Sequence, residues 1–200
     1  MKSTCKTTYQ SSDSIVEKSV FAYDTERPYN IISKSSLCSG GAEQVERTYY
    51  SNNTIPDKES LTTSQRSAIQ LLTSRNYLTT PVQQTMEKKD KRLYSVLRGY
   101  SSSLSSGMVV EDQYYCKGTD KYEKRISYNK YDIYGNPVYI NKDGAEKVVY
   151  LWGYKGQYLL AEIKGATYEE VKKALMVDPA SMSSCILPSI PLYLNMIDNL

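Results

Sequence analysis

From Tyr122 to Tyr154 the side chains alternate with a period of two, and glycine-bearing turns interrupt them twice. That period puts every second side chain on one face of an extended chain, an order no helix can keep. Tyr122, Ile126 and Tyr128 share a face. Residues 132–136 (DIYGN) form a turn. Gly135 takes a positive φ at no steric cost, Asn136 tolerates one better than most residues, and the Asp132 carboxylate can accept from backbone amides. Pro137 opens the next strand, where its missing N–H does little harm. Val138 and Ile140 alternate against Tyr139, and Asp143-Gly144 is a strong hairpin signal. Val148, Tyr150, Trp152 and Tyr154 then line one face of the returning strand. The two hairpins share the strand at 137–142, which predicts a three-stranded meander.

The rest of the chain repeats the theme. SIVEKSVFAY (14–23), YNIISKSS (29–36) and AEQVERTYY (42–50) read as strands parted by DTERP and LCSGG. KRLYSVLRGY (91–100), MVVEDQYYCKG (108–118), KYEKRISYNKY (121–131) and QYLLAEIKG (157–165) continue them. Short runs of Val, Ile, Tyr and Thr between Gly, Pro and Asp turns are the signature of antiparallel hairpins. SSSLSSG (101–107) reads as a flexible loop and EKKDKR (87–92) as a solvated turn or edge. Two short helices interrupt, near 62–75 and 167–176. Thr62 with Gln65, and Thr167 with Glu170, have capping-box spacing, and Ala166 with Val171 sits at staple positions. Ala68, Ile69, Leu71 and Leu72 make the apolar stripe of the first helix.

The chain therefore divides into a strand-rich hairpin segment (1–50), a linker and amphipathic helix (51–90), a β-rich segment with a C-terminal helix (91–178) and an atypical tail (179–200). The tail has two prolines after Pro179 and no clean period, and reads as the product of a truncated or frame-shifted gene. The expected fold class is mainly β, an antiparallel hairpin meander with two short helices.

Chemistry is narrowly bounded. With no histidine, histidine triads and histidine-ligated metal sites are excluded. Glu111-Asp112 would point to opposite faces of a strand, and Glu169-Glu170 sits where a helix N-terminus favours acids. GYKG (153–156) lacks the spacing of a phosphate loop. Cys5, Cys38, Cys116 and Cys185 lie far apart in sequence and read as free thiols, or as one or two disulfides in an oxidising compartment. No enzymatic activity, cofactor or metal is expected. A net charge of +3 with interspersed signs does not suit nucleic acid. MKSTCKTTYQ has no apolar run, so no signal peptide is read there, and no window is apolar enough for a membrane-spanning helix.

The aromatic balance is unusual: 20 Tyr against 1 Phe and 1 Trp. Tyrosine suits places where a ring packs while its hydroxyl reaches water or a partner. Tyr150, Trp152 and Tyr154 are thus candidates for stacking on sugar rings, in a module that binds glycans or a cell surface. The plainer alternative packs Trp152 against the sheet interior. A third reading is an interaction protein that docks on other shells through an open strand edge.

YDIYGNPVYINKDG resembles the YD repeat of the RHS family, with Tyr131, Asp132, Gly135 and Asn136 at the motif positions. VVYLWGYKGQYLLAEIKGATYEEVKKAL looks like a segment of RHS-repeat proteins of Bacteroides-like bacteria, and VERTYYSNN, LTTPVQQT and RLYSVLRGY fit the same kind of protein. The likeness covers about residues 15–176 and is most specific at 128–171. It implies a structural role: strands wound into a large hollow β-shell, secreted or displayed at the cell surface, that in toxin-type members encloses a C-terminal effector. The implied partners are neighbouring RHS repeats or a larger RHS shell. Tyr131 would pack, Asp132 and Asn136 would order the turn, and Gly135 would make it possible. Tyr23-Asp24 is the other Tyr-Asp pair, without a Gly-Asn turn after it.

Overall fold

The computed structural model describes residues 2–10, 13–37, 41–103 and 107–184, with the backbone alone for 2–10, 13–17 and 103. Among these residues one antiparallel meander sheet has eleven strands, ordered as they occur in the chain. They are β1 (Lys2–Gln10), β2 (Asp13–Tyr23), β3 (Ile31–Leu37), β4 (Glu43–Tyr50), β5 (Pro81–Lys88), β6 (Lys91–Ser103), β7 (Gly107–Lys117), β8 (Glu123–Tyr131), β9 (Pro137–Lys142), β10 (Glu146–Gly153) and β11 (Tyr158–Lys164). Helix α1 (Thr63–Ser74) lies between β4 and β5, and α2 (Tyr168–Leu175) follows β11. No helix among the described residues is long and apolar enough to cross a membrane.

Two strands went unread in the sequence. β1 is almost wholly polar, and β5 begins at a proline and carries two glutamines, so neither shows an apolar alternation. β5 belongs to the segment read as linker and helix. The low-complexity stretch read as a loop from 101 instead continues β6 to Ser103. The turn expected at 87–92 is there, with Lys89 and Asp90 both at positive φ (49° and 58°), the two-residue geometry that matches strand twist.

The chain forms two compact units: residues 1–99 with 114–123, and residues 100–113 with 124–200. In the first, α1 lays Ala68, Ile69 and Leu72 into the core, in a unit whose sheet buries Val82 and Leu97. Thr62 accepts from the Gln65 amide, and the Gln65 side chain returns the bond to the Thr62 amide, satisfying two otherwise orphan donors. Gln65 is buried directly over Gly99, where a β-carbon would stand 2.4 Å from its Cδ. Glycine at 99 is what lets the helix approach.

In the second unit α2 packs Val171 and Leu175 against Val149 and Leu151, with Tyr139, Leu160 and Ile163 at the margin. Its capping box pairs Thr167 with Glu170. The core does not stop at 179: Met182 belongs to this cluster and Ser183 is fully buried. The segment read as a detachable tail is therefore partly core, its apolar residues placed by a short 3-10 turn (Met182–Ser184) that has no legible period. Its remainder, 185–200, lies outside the described residues.

Candidate functional site

The DIYGN turn has the local order its sequence implies. Asp132, 1% exposed, accepts from the amides of Tyr134 at 2.9 Å and Asn136 at 2.8 Å. Its own amide donates to the Asn136 carbonyl, and Gly135 stands at φ 87°. The Asn136 side chain donates to the second Asp132 oxygen and, at 2.8 Å, to the Gly156 carbonyl. Tyr131, half-buried, donates its hydroxyl to the Val110 carbonyl and stacks on Tyr128 at 6.1 Å. Burial, with Tyr128 and Tyr100 nearby, pushes its phenol well above the usual tyrosine range.

The three proposed stacking residues do not form one exposed face. Tyr150 and Trp152 are half-buried, and the Trp152 indole N–H donates to the Pro137 carbonyl at 2.8 Å. β10 ends at Gly153, so Tyr154 is off the strand, at φ 53° in the turn that follows. Aromatic exposure gathers elsewhere. Tyr154 (38% exposed) meets Tyr158 (61%) edge-on at 5.5 Å, and Tyr134 (46%) packs on Gly156. Tyr134 and Tyr158 had no sequence signal. They reach the surface because the 132–136 turn is bonded to the 154–157 turn.

A partly buried polar network in the first unit was also not legible. Asp57 receives Arg92 at 2.7 Å, the Tyr122 hydroxyl at 2.9 Å, and the Gln83 amide. Ser95 donates to the Tyr122 oxygen at 2.6 Å, and Arg92 reaches the Gly118 carbonyl and the Cys116 sulfur. Burial raises the Tyr122 phenol far above its usual range, with Asp57 adding to the shift. Desolvation is the largest single influence on the Arg92 guanidinium and lowers its pKa, but Asp57, Tyr122 and Cys116 together outweigh it, so its affinity for a proton rises. Cys116 is a free, buried thiol, its pKa raised mainly by burial and partly offset by Arg92. It is therefore a poor nucleophile. These residues come from four places in the sequence, and each looks like an ordinary strand or loop residue by itself.

Two of the surface grooves carry polar or charged walls of interest. One, of about 830 Å³, lies between residues 51–59 and α1, and its walls include Asn52, Asn53, Lys58, Arg66 and Gln70. The Asn52 Oδ1 is buried there without a hydrogen-bond partner. The other, of about 450 Å³, includes Lys130, Asp132, Tyr168 and Asp178, with the Lys130 ammonium 4.0 Å over the Tyr168 ring. No group of three acids or cysteines among the described residues could hold a metal ion.

The fold and these sites define a class: an antiparallel β-meander with helices packed on its sheet, rich in half-buried tyrosine. No family model, curated protein or solved structure matches the chain.

Proposed function

We propose that this chain is a structural segment of an RHS-type YD-repeat β-shell, with neighbouring repeats or a larger shell as its partners and no catalysis of its own. The observation that carries the reading is the turn at 132–136. Its Tyr-Asp-x-x-Gly-Asn residues are spent on holding backbone: Asp132 orders two amides, and Asn136 ties the turn to the one between β10 and β11. The meander order supports it, because hairpins laid side by side in chain order are how a repeat shell grows. The parent protein would be secreted or displayed at the cell surface.

A segment of a longer shell has strand ends that seek neighbours. Sedimentation from micromolar to millimolar concentration should show a mass that grows with concentration. A constant monomer mass, with a sharp near-ultraviolet circular-dichroism melt, would mark a self-standing module and sink the reading.

A second reading, a surface for glycans, is favoured by one observation: Tyr134, Tyr154 and Tyr158 are exposed together. Tyrosine faces suit sugar rings. Titration with soluble oligosaccharides should then perturb the tyrosine signals of the parent chain and not those of Tyr158→Ala. Equal responses from both would refute a platform at this place.

A further inference from the structure

The Tyr23-Asp24 pair has no Gly-Asn after it, yet its turn closes the same way as the one at 131–136. Asp24 accepts from the amides of Glu26 at 2.9 Å and Arg27 at 3.1 Å, as Asp132 does from Tyr134 and Asn136. The Asp24 amide donates to the Asn30 carbonyl, as that of Asp132 does to Asn136, both at 3.0 Å. The Asn30 side chain donates to the Leu78 carbonyl at 2.9 Å, as that of Asn136 does to Gly156 at 2.8 Å. In each case the connection between two strands grips the connection two strands further on: 24–30 joins β2 to β3 and holds the chain entering β5, and 132–136 joins β8 to β9 and holds the chain entering β11.

The agreement extends through the registers. Tyr23 faces Ile31 as Tyr131 faces Pro137. Ser33 faces Arg47 and Ser36 faces Gln44, as Tyr139 faces Val149 and Lys142 faces Glu146. On the next pair, Tyr49 faces Gln83 and Tyr50 faces Pro81, with Val82 skipped; Leu151 faces Ala161 and Trp152 faces Leu159, with Leu160 skipped. The bulge falls at the same step in both. An aromatic donor closes each set: the Tyr50 hydroxyl donates to the Ile31 carbonyl at 3.0 Å, and the Trp152 indole to the Pro137 carbonyl at 2.8 Å. Two antiparallel hairpins sharing a bulge position is unremarkable alone; shared turn closure, cross-grip, register, bulge and aromatic donor are five separate agreements.

We infer that the chain is a tandem of two copies of one four-stranded module, β2–β5 and β8–β11, and that Asp24, Asn30 and Tyr50 are the positioning residues of the first copy. This extends the repeat reading from one repeat to two, but stands on hydrogen bonds and registers and does not need that reading to be right. It also identifies residues 52–77, with α1 and most of the wall of the 830 Å³ groove, as an insertion into the first copy. Its neck is closed by the Ser51 amide on the Thr80 carbonyl and by the Ser51 hydroxyl on the Tyr77 carbonyl, where the second copy has only the pair Gly153 and Tyr158. Insertions into repeats are carried on loops that often form the binding face.

The test is an exchange of turns in the full chain, read by site-resolved hydrogen exchange. Replacing residues 24–30 with the segment of residues 132–136 should leave a folded chain with protection at 76–80 unchanged within about threefold. Asn30→Ala should raise exchange at 76–80 about tenfold or more and leave 154–157 as it was; Asn136→Ala should do the reverse. Tyr50→Phe should loosen the amides around 31, and Tyr50→Trp should restore them. The inference is overturned if the exchanged turn unfolds the first module while these single variants fold, or if Asn30→Ala leaves 76–80 as protected as before. Failure of the shell reading would appear instead as a monomer that never associates, and would leave these exchange patterns intact.

Discussion

The turn from Asp24 to Asn30 and the turn from Asp132 to Asn136 do one job with different means. The shorter needs Gly135 at φ 87° to come round, whereas the longer passes through Pro28 and needs no glycine. In both, the aspartate accepts from amides within the turn and the asparagine holds a distant carbonyl. The contrast teaches that the ends of the turn are constrained and its middle is free. The helices make a similar contrast. Each covers the same face of its module, that of Tyr49 and Gln83 in one and of Leu151 and Ala161 in the other, yet α1 arrives through an insertion and α2 from beyond the last strand.

Four measurements press on that comparison. If both helices are equally necessary covers, Leu72→Ala in α1 and Leu175→Ala in α2 should each cost about 2–5 kcal/mol in urea unfolding. Met182→Ala belongs in the same range, because its side chain is part of the α2 core. A cost well below 1 kcal/mol for Met182→Ala would return residues after 179 to the status of a detachable tail. Next come the aspartates. Asp132→Ala removes a buried carboxylate and leaves two turn amides without their acceptor, at about 1–3 kcal/mol in all. Asp24→Ala should cost clearly less, since water reaches this carboxylate more readily than the buried Asp132; equal costs would show that exposure does not set the difference.

The caps should be nearly matched. Thr62→Ala and Thr167→Ala remove the same box and should each lower stability by about 1 kcal/mol. A much larger loss at Thr62 would show that Gln65, which also takes the Tyr114 hydroxyl at 3.2 Å, makes that box part of the core. The smallest effect is on acidification. Asp24 is held below the ordinary carboxylate range chiefly by the Glu26 amide, and Glu170 by the Thr167 amide. A depressed carboxylate stabilises the fold above its unfolded pKa, roughly 4, and that contribution disappears as pH falls through the lower folded value. Stability should therefore decline below about pH 4, and Asp24→Asn should flatten part of the decline.

Most strands were legible because alternation and turn chemistry are local. DIYGN, Asp143-Gly144 and both capping boxes act between residues a few positions apart, so their partners are visible in the sequence. β5 was not legible, because its inward face carries polar residues and so shows no apolar alternation: Gln83 is buried against Asp57, Ser95 and Tyr122, which only the fold assembles. Tyr154 was read as a strand residue because its chemistry suits one; its positive φ comes from a turn closed by distant bonds, Gly156 to the Ser183 carbonyl and Asn136 to Gly156. The Asp24 turn escaped notice for a related reason. Its equivalence to the other lies in which carbonyl Asn30 reaches, and no spacing rule records that.

By itself the sequence determined the local order: an antiparallel hairpin chain, two capped helices, and a turn whose aspartate organises its own amides. The forces involved act within a few residues and need no surroundings. Tertiary structure alone decided which turn grips which connection, where Asp57 finds its guanidinium and phenol, and which tyrosines reach water. Those outcomes depend on strand register, which is set by the packing of whole faces and the placing of a bulge, and a shift of one residue would send every side chain to the other side.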